Sequence, residues 1–329
     1  MNLATIGTSW ITSAFIQAAK KSGRLNLHSV YSRSLEQSKE FARQHQAANF
    51  YTDLDEMLTN EEIDVIYIAS PNSLHYQHAI KCLEAKKHVI CEKPIFSNTK
   101  EYIAAYRCAE ENNVFLFEAI RNIHTPNFHL LAKELHKVGK LRSASLNYLQ
   151  YSSRYDAFLN GDVPNVFSLE FSGGALVDLG VYPLFMAISL FGKPNKIHYF
   201  PVKLRNGIDG NGTLILQYTD FTCNILCSKI SHSYLPSEIH GEDGTILLDM
   251  PSCITNLEFK DHRSKTSTTF STEQVEDDMV YEINDFINIM ETNDIQEYDR
   301  LKRLSNTVLE ITEEARRQNN ILFKSEQEG

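Results

Sequence analysis

Two short stretches of this chain carry side chains that could move protons. The first is Glu92-Lys93-Pro94, which closes the apolar run Lys87-His88-Val89-Ile90-Cys91. Such a run reads as a buried parallel strand, and open parallel sheets bind ligands just beyond the carboxyl ends of their strands. The second is Ser172-Gly173-Gly174-Ala175-Leu176-Val177-Asp178-Leu179-Gly180-Val181-Tyr182-Pro183. Asp178 and Tyr182 are four apart, so on a helix they project from one face. Pro183 limits how regular that helix can be and puts Tyr182 near its start. Each stretch also has a plainer reading: a surface Glu-Lys pair before a turn, and a tyrosine hydroxyl satisfied by an aspartate.

Taken together, these residues suit one reaction type. Hydride transfer at a carbinol carbon needs a group that takes or gives the hydroxyl proton. A free tyrosine, with a pKa near ~10, is a poor base at neutral pH. A neighbouring ammonium favours the phenolate and lowers that value. Lys93, Asp178 and Tyr182 would therefore form a workable proton-transfer set if the fold brings them together.

A dinucleotide site is the natural companion of that chemistry. Ile6-Gly7-Thr8-Ser9-Trp10-Ile11-Thr12 follows a first strand and opens a helix, where a dinucleotide fold places its Gly-x-Gly-x-x-Gly turn. Gly7 is retained, while Ser9 and Thr12 stand at the other two glycine positions. Gly7 still permits the tight turn, and helix N-terminal amides still attract a pyrophosphate. The second strand ends in Tyr31-Ser32-Arg33-Ser34, with no carboxylate for the ribose hydroxyls of NAD. Arg33 flanked by hydroxyls suits a 2′-phosphate, so NADP is expected, with NAD as the other possibility. A solvated loop arginine is the alternative for Arg33.

The elements that must position these residues follow an α/β rhythm. Strands are expected near Asn2–Gly7, Asn26–Tyr31, Asn49–Tyr51, Asp64–Ala69, Lys87–Cys91 and Val114–Glu118, with helices at Ser34–His45, Ser73–Ala85 and Thr99–Asn112. This predicts a parallel sheet covered on both faces. The rhythm then changes. A helix near Asn127–Lys137 and the alternating stretch Leu141–Tyr151 precede a helix at Leu176–Leu190. From about Lys196 strands follow one another, with turns at Thr219-Asp220 and Gly241–Gly244. Helices near Asp277–Met290 and Arg300–Gln318 close the chain. The expected division is residues 1–119 as a dinucleotide-binding domain and 120–329 as a substrate-binding and oligomerisation domain.

Composition narrows the class further. At 329 residues two domains are the default, and 42% hydrophobic with 22% charged residues fits a globular protein. A net charge of −10 argues against nucleic acid and anionic membrane as partners. No apolar run approaches the ~20 residues of a membrane span, and the N-terminus reads as a first strand rather than a signal peptide. Six cysteines form no CxxC pair, so a metal site is not expected and a reducing compartment, most simply cytoplasm, is.

At this point the motifs resemble a known family. Val89-Ile90-Cys91-Glu92-Lys93-Pro94, preceded by Ala69-Ser70-Pro71-Asn72-Ser73-Leu74-His75, resembles the signature of the Gfo/Idh/MocA oxidoreductases. The Gly173–Tyr182 stretch is similar to their second-domain motif, in the version of dimeric dihydrodiol and xylose dehydrogenases. The resemblance covers nearly the whole chain. It implies a Rossmann domain followed by an α+β domain with an open, mostly antiparallel sheet, and substrate and nicotinamide in a cleft between them. It implies that Lys93 contacts both nicotinamide and substrate, and that Asp178 and Tyr182 face the reacting hydroxyl. Gly7, Thr8, Ser9, Trp10, Ile11, Ser32, Arg33, Ser70, Pro71, Asn72, His75, Glu92 and Lys93 are the expected cofactor residues. It further implies a carbohydrate-like small-molecule substrate and a homodimer or larger assembly through the second sheet.

One segment departs from the family pattern. Glu118-Ala119-Ile120-Arg121-Asn122-Ile123-His124-Thr125-Pro126 has Arg121 where relatives carry an aromatic residue and Ile123 where they carry an arginine. Arg121 and His124 are candidate substrate contacts, or caps of the following helix. The functional expectation is an NADP-preferring oxidoreductase acting on a sugar, polyol or diol. The alternative is a dinucleotide-binding sensor or scaffold without turnover.

Overall fold

The alternation of apolar runs and amphipathic segments in the first 120 residues builds a six-stranded, fully parallel sheet. The architecture is that of a computed structural model, in which residues 1–327 are described. The chain divides into two units: Met1–Ile120 with Val275–Arg303, and Arg121–Gln274 with the segment from Leu304 on.

In the first unit, β1 (Asn2–Ile6), α1 (Trp10–Ser22), β2 (Asn26–Tyr31), α2 (Leu35–His45), β3 (Asn49–Tyr51) and α3 (Leu54–Leu58) come first. Then follow β4 (Val65–Ile68), α4 (His75–Glu84), β5 (His88–Glu92), α5 (Thr99–Asn112) and β6 (Leu116–Ala119). Side chains mark the helix starts: the Ser34, Asp53 and Asn98 oxygens accept from first-turn amides of α2, α3 and α5. The short α3, not expected from the sequence, is fixed by the Asp53 cap and by burial of Leu54 and Met57. Val65-Ile66-Tyr67-Ile68 is buried at every position, as a strand covered on both faces must be.

Strand order is β3-β2-β1-β4-β5-β6, so the direction of winding reverses between β1 and β4. That reversal is where open α/β sheets leave a crevice for a ligand. Gly7 stands there with φ of +115°, and a Cβ on it would lie 2.6 Å from the Ala69 carbonyl oxygen at the end of β4. Backbone conformation and close approach both demand glycine at this turn.

The second unit holds α6 (Pro126–Glu134), β7 (Leu141–Leu149), α7 (Tyr155–Leu159) and α8 (Val181–Phe191). Its strands continue with β8 (Lys196–Lys203), β9 (Asp209–Gln217), β10 (Thr222–Ser228), β11 (Ser237–Gly241), β12 (Gly244–Leu248), β13 (Leu257–Asp261) and β14 (Ser267–Thr269). They form one eight-stranded sheet in the order β14-β13-β12-β11-β7-β10-β9-β8, antiparallel except for the β7–β10 pair. The open, mostly antiparallel second sheet is thus as expected.

The helix expected over Leu176–Leu190 is corrected in its first turn: Leu176–Gly180 is π-helical, and the α-helix begins at Val181. Pro183 has no N–H to give the carbonyl of Leu179, which breaks the regular ladder at this turn. Gly180 allows close packing, since a Cβ there would meet Cys227 Sγ of β10 at 3.1 Å.

Three helices complete the chain: α9 (Met279–Thr292), α10 (Ile295–Arg317) and α11 (Lys324–Gln327). α9 packs on α1 in the first unit. α10 begins five residues before its expected start because Asp294 Oδ1 accepts the Glu297 amide at 3.0 Å. Among the described residues no helix is long and apolar enough to cross a membrane. All six cysteines are free thiols.

Candidate active site

In the first unit a cleft of about 610 Å³ opens at the winding reversal. Gly7, Thr8, Ser9, Ser32, Arg33, Ser70 and Pro71 all line it, so seven of the expected cofactor residues share one wall. Ser9 precedes α1 without its hydroxyl capping the helix, and that hydroxyl lies 3.3 Å from Thr12 Oγ1. The first-turn amides of α1, which have no intrahelical partner, remain for an anion. Ile6, Tyr31, Ser34, Gln37, Ala69, Leu74 and His78 complete the lining, and of these Gln37 and His78 lie outside the motifs read in the sequence. Of these, His78 had a readable signal, lying one turn beyond His75 on the same helix.

The remaining expected residues do not line this cleft. Trp10 is 70% exposed, directly after Ser9. His75 is buried behind the wall, with Nε2 2.8 Å from the Ser70 carbonyl and Nδ1 3.1 Å from that of Pro94. It therefore ties the loop after β4 to the loop after β5 rather than standing at the surface. Burial, the larger effect, pulls its pKa below that of a free histidine against the pull of those carbonyls. His78 donates to or accepts from Ser70 Oγ at 2.9 Å and is pushed down to about 4, by burial first and then by His75, Arg33 and Lys81. It is neutral at pH 7, which leaves Arg33 as the cation of the cleft lining.

Glu92 ends β5 buried, accepting from the hydroxyl of Tyr67, whose ring stacks on Phe15 at 3.7 Å. Glu118 Oε1 accepts the Ile95 amide at 3.0 Å. Two strand-end carboxylates thus anchor the loop that presents Lys93, whose peptide to Pro94 is cis.

In the second unit Asp178 lies on the π-helical turn and Tyr182 on the first turn of α8. Tyr182 is held from three sides. Asn122 Nδ2 donates to its carbonyl at 3.0 Å and to that of Pro251 at 2.8 Å. The ring meets Tyr148 edge-on at 5.7 Å, and the Arg121 guanidinium carbon stands 6.0 Å from the ring centroid. Neither Arg121 nor His124 caps α6; Thr125 Oγ1 accepts the Phe128 amide there, and Pro126 takes the first helical position. His124 is buried. Asp178 forms an ion pair with Lys229, a residue that sequence reasoning missed because its partner is 51 positions away.

The start of this segment rests on a buried carboxylate, Asp209, that sequence reasoning likewise missed. Asp209 Oδ2 accepts the Leu176 amide at 2.7 Å and the Tyr199 hydroxyl at 2.7 Å. Gly174, with φ of +121°, leaves room for it, since a Cβ there would collide with Asp209 Oδ1. Burial raises Asp209 to about 6, against the pull of those two donors. Its folded pKa exceeds the unfolded one, so its stabilising contribution is full below about pH 4. That contribution is lost as pH rises through about 6. A rise of this size in a buried carboxyl corresponds to about 3 kcal/mol. Chemical unfolding of wild type and Asp209→Asn between pH 4 and 7 should show wild type losing that much relative to the variant. Parallel pH profiles would refute the assignment.

Comparison with known proteins decides the family. A protein of Bacillus subtilis described as scyllo-inositol 2-dehydrogenase (NADP(+)) IolU is 41% identical over 99% of each chain. The chain belongs to the Gfo/Idh/MocA oxidoreductases. Residues 1–120 match the description "Oxidoreductase family, NAD-binding Rossmann fold", and residues 132–247 match the GFO/IDH/MocA C-terminal domain. An uncharacterized oxidoreductase of Escherichia coli, YgjR, is 40% identical over 99% of this chain and 98% of its own. In fold, the chain is similar to KijD10, a 3-ketoreductase from Actinomadura kijaniata solved with TDP-benzene and NADP. That match has a TM-score of 0.83 at 18% identity and covers 97% of each chain. As a family member the protein is an NAD(P)-dependent oxidoreductase, and the cleft at Gly7 lies in its nucleotide-binding fold.

Proposed function

We propose that the protein moves hydride between NADP and a carbinol or carbonyl carbon of a sugar, polyol or related diol. The observation that carries the reading is that one chain holds both the Arg33 cleft and a helical segment bearing a tyrosine and an aspartate paired with Lys229. The cleft residues fit a dinucleotide: Gly7 opens the turn, α1 amides face a pyrophosphate, and Arg33 with Ser32 suits a 2′-phosphate. When bound, the nicotinamide supplies or takes the hydride. Tyr182 takes the hydroxyl proton during oxidation and returns it during reduction. Lys93 favours the tyrosine's anionic form and orients the substrate oxygen, and Asp178 accepts a hydrogen bond in the same relay. IolU and KijD10, as named, act on a polyol and a ketone, which supports this substrate class.

Arg121 and His124 are proposed to read the substrate's hydroxyls, and Trp10, Ile11, Asn72, His75 and Glu92 to shape the cofactor site. The outer face of the eight-stranded sheet, with exposed Phe200 and Val202 on its edge strand, is proposed to join copies of the chain. Free thiols throughout suit a reducing cytoplasm.

Trp10 is the sole tryptophan and adjoins the cleft, so cofactor binding can be followed by its emission. NADPH should quench it with a Kd about tenfold or more below that of NADH, because a charge-assisted phosphate contact contributes about 1.5–3 kcal/mol. Arg33→Ala should erase the difference. Equal affinities in wild type would overturn the NADP preference. The reaction itself is tested by NADP reduction with a panel of polyols and aldoses. Tight NADPH binding with silence across that panel would make the protein a dinucleotide sensor instead.

A further inference from the structure

Lys229 immediately follows β10, and its backbone is fixed on both sides: its amide donates to the Gly210 carbonyl at 2.9 Å and its carbonyl accepts the Ser152 amide at 2.9 Å. Its side chain is only 4% exposed, whereas that of Asp178 is 26% exposed. The ammonium donates to Asp178 Oδ2 and lies 5.4 Å from the ring centroid of Phe167. Lysine is almost never buried this completely unless paired, because removing its charge from water costs several kcal/mol. A chain that keeps such a lysine against the carboxylate next to its proton-transfer tyrosine has placed it for that carboxylate.

We propose that Lys229 is a positioning residue of the reaction, acting through Asp178 by holding its carboxylate ionised and fixed as a hydrogen-bond acceptor for the substrate hydroxyl. The inference rests on the functional reading above and deepens it. Asp178 is then a permanent acceptor, which leaves Tyr182 as the group that exchanges the proton. The arrangement explains how a carboxylate can stay charged on a segment packed against β7, β9 and β10. Other ionisable groups on the packed elements are Arg142 and Tyr148 of β7, Asp209 of β9, Cys223 and Cys227 of β10 and Tyr182 of α8, with Arg121 at the Tyr182 ring; Arg142 pairs with Glu242.

Steady-state kinetics across pH test the proposal with Lys229→Met, Lys229→Arg, Asp178→Asn and the double variant Asp178→Asn/Lys229→Met. Lys229→Met should lower kcat/KM about 10²-fold at pH 7 and move the acid limb of its pH profile up by about one pH unit, because an opposite charge has been removed. Lys229→Arg should keep the limb near its wild-type position. The double variant carries no uncompensated buried charge, so it should fold at least as well as Lys229→Met, and it should be no slower than Asp178→Asn alone. An unmoved limb in Lys229→Met, or losses that add in the double variant, would overturn the proposal.

A second measurement separates this inference from the functional reading. Carboxyl-carbon NMR titration follows Asp178 in the folded protein without turnover, assigned by comparison with Asp178→Asn. Its midpoint should rise in Lys229→Met whether or not a substrate has been found, and an unchanged midpoint refutes the role of Lys229. Absence of any NADP-linked turnover in wild type, with that midpoint shifted, would refute the functional reading and with it the catalytic purpose of the pair.

Discussion

Lys93→Met is expected to lower turnover by about 10³-fold while leaving NADPH affinity within about threefold of wild type. Methionine keeps the length and apolar stem of lysine and removes the ammonium, so the change is electrostatic rather than steric. Cofactor affinity should survive because Lys93 is not among the residues lining the Arg33 cleft. The loop itself should also survive. Its backbone is anchored by the Glu118 carboxylate on the Ile95 amide and by His75 on the Pro94 carbonyl. Turnover with the preferred polyol, Trp10 quenching by NADPH and the melting temperature would be measured on one preparation. Rates within about tenfold of wild type would remove Lys93 from the chemistry. A parallel collapse of NADPH binding would reassign it to holding the cofactor.

Much of the fold was legible because its signals are local. Short, fully apolar runs such as Val65–Ile68 suit strands covered on both faces, and Asn26–Tyr31, Asn49–Tyr51 and Thr99–Asn112 fall at their expected bounds. Gly7 could be read as the turn glycine because it follows a predictable strand and precedes a helix. What escaped the sequence depends on partners far along the chain. Lys229 looks like any lysine after a strand until the Gly180 helix packs on Cys227 and brings Asp178 to it. Asp209 looks like a turn residue before a strand, yet it is the acceptor that starts the Leu176 segment. The π-helical turn was hidden for a related reason. A 3.6-residue periodicity describes Leu176–Leu190 well, and only the missing amide of Pro183, with packing over Gly180, widens the first turn.

The roles read for Lys93 and Tyr182 from the sequence gained a complication in the second unit. The Arg121 guanidinium stands 6.0 Å from the centre of the Tyr182 ring, and Lys229 pairs with Asp178. A guanidinium stays protonated across the working range, so it offers the tyrosine ring a constant field, weaker at this distance than direct contact. Lys93 remains the amine proposed for the proton transfer itself.

Tyr182→Phe isolates the proton-transfer step. The substitution removes one hydroxyl and preserves the edge-on contact with Tyr148, the Arg121 approach and the Asn122 bond to the backbone carbonyl. Melting temperature should therefore change little, while turnover in the oxidation direction falls by about 10²- to 10³-fold. The sign of the pH effect follows from the role. Oxidation requires the tyrosine to receive a proton, so wild-type kcat should rise with pH until the residue is anionic, and this rise should vanish in the variant. Reduction requires the protonated form and should show the opposite limb in wild type. Lys93→Met/Tyr182→Phe should then be no slower than the worse single variant, because two groups serving one proton transfer cannot each be lost in full. A Tyr182→Phe enzyme that keeps both the wild-type rate and the rising limb would transfer the acid–base role to another group. Lys93 would then be the first to test, by whether the limb follows its replacement.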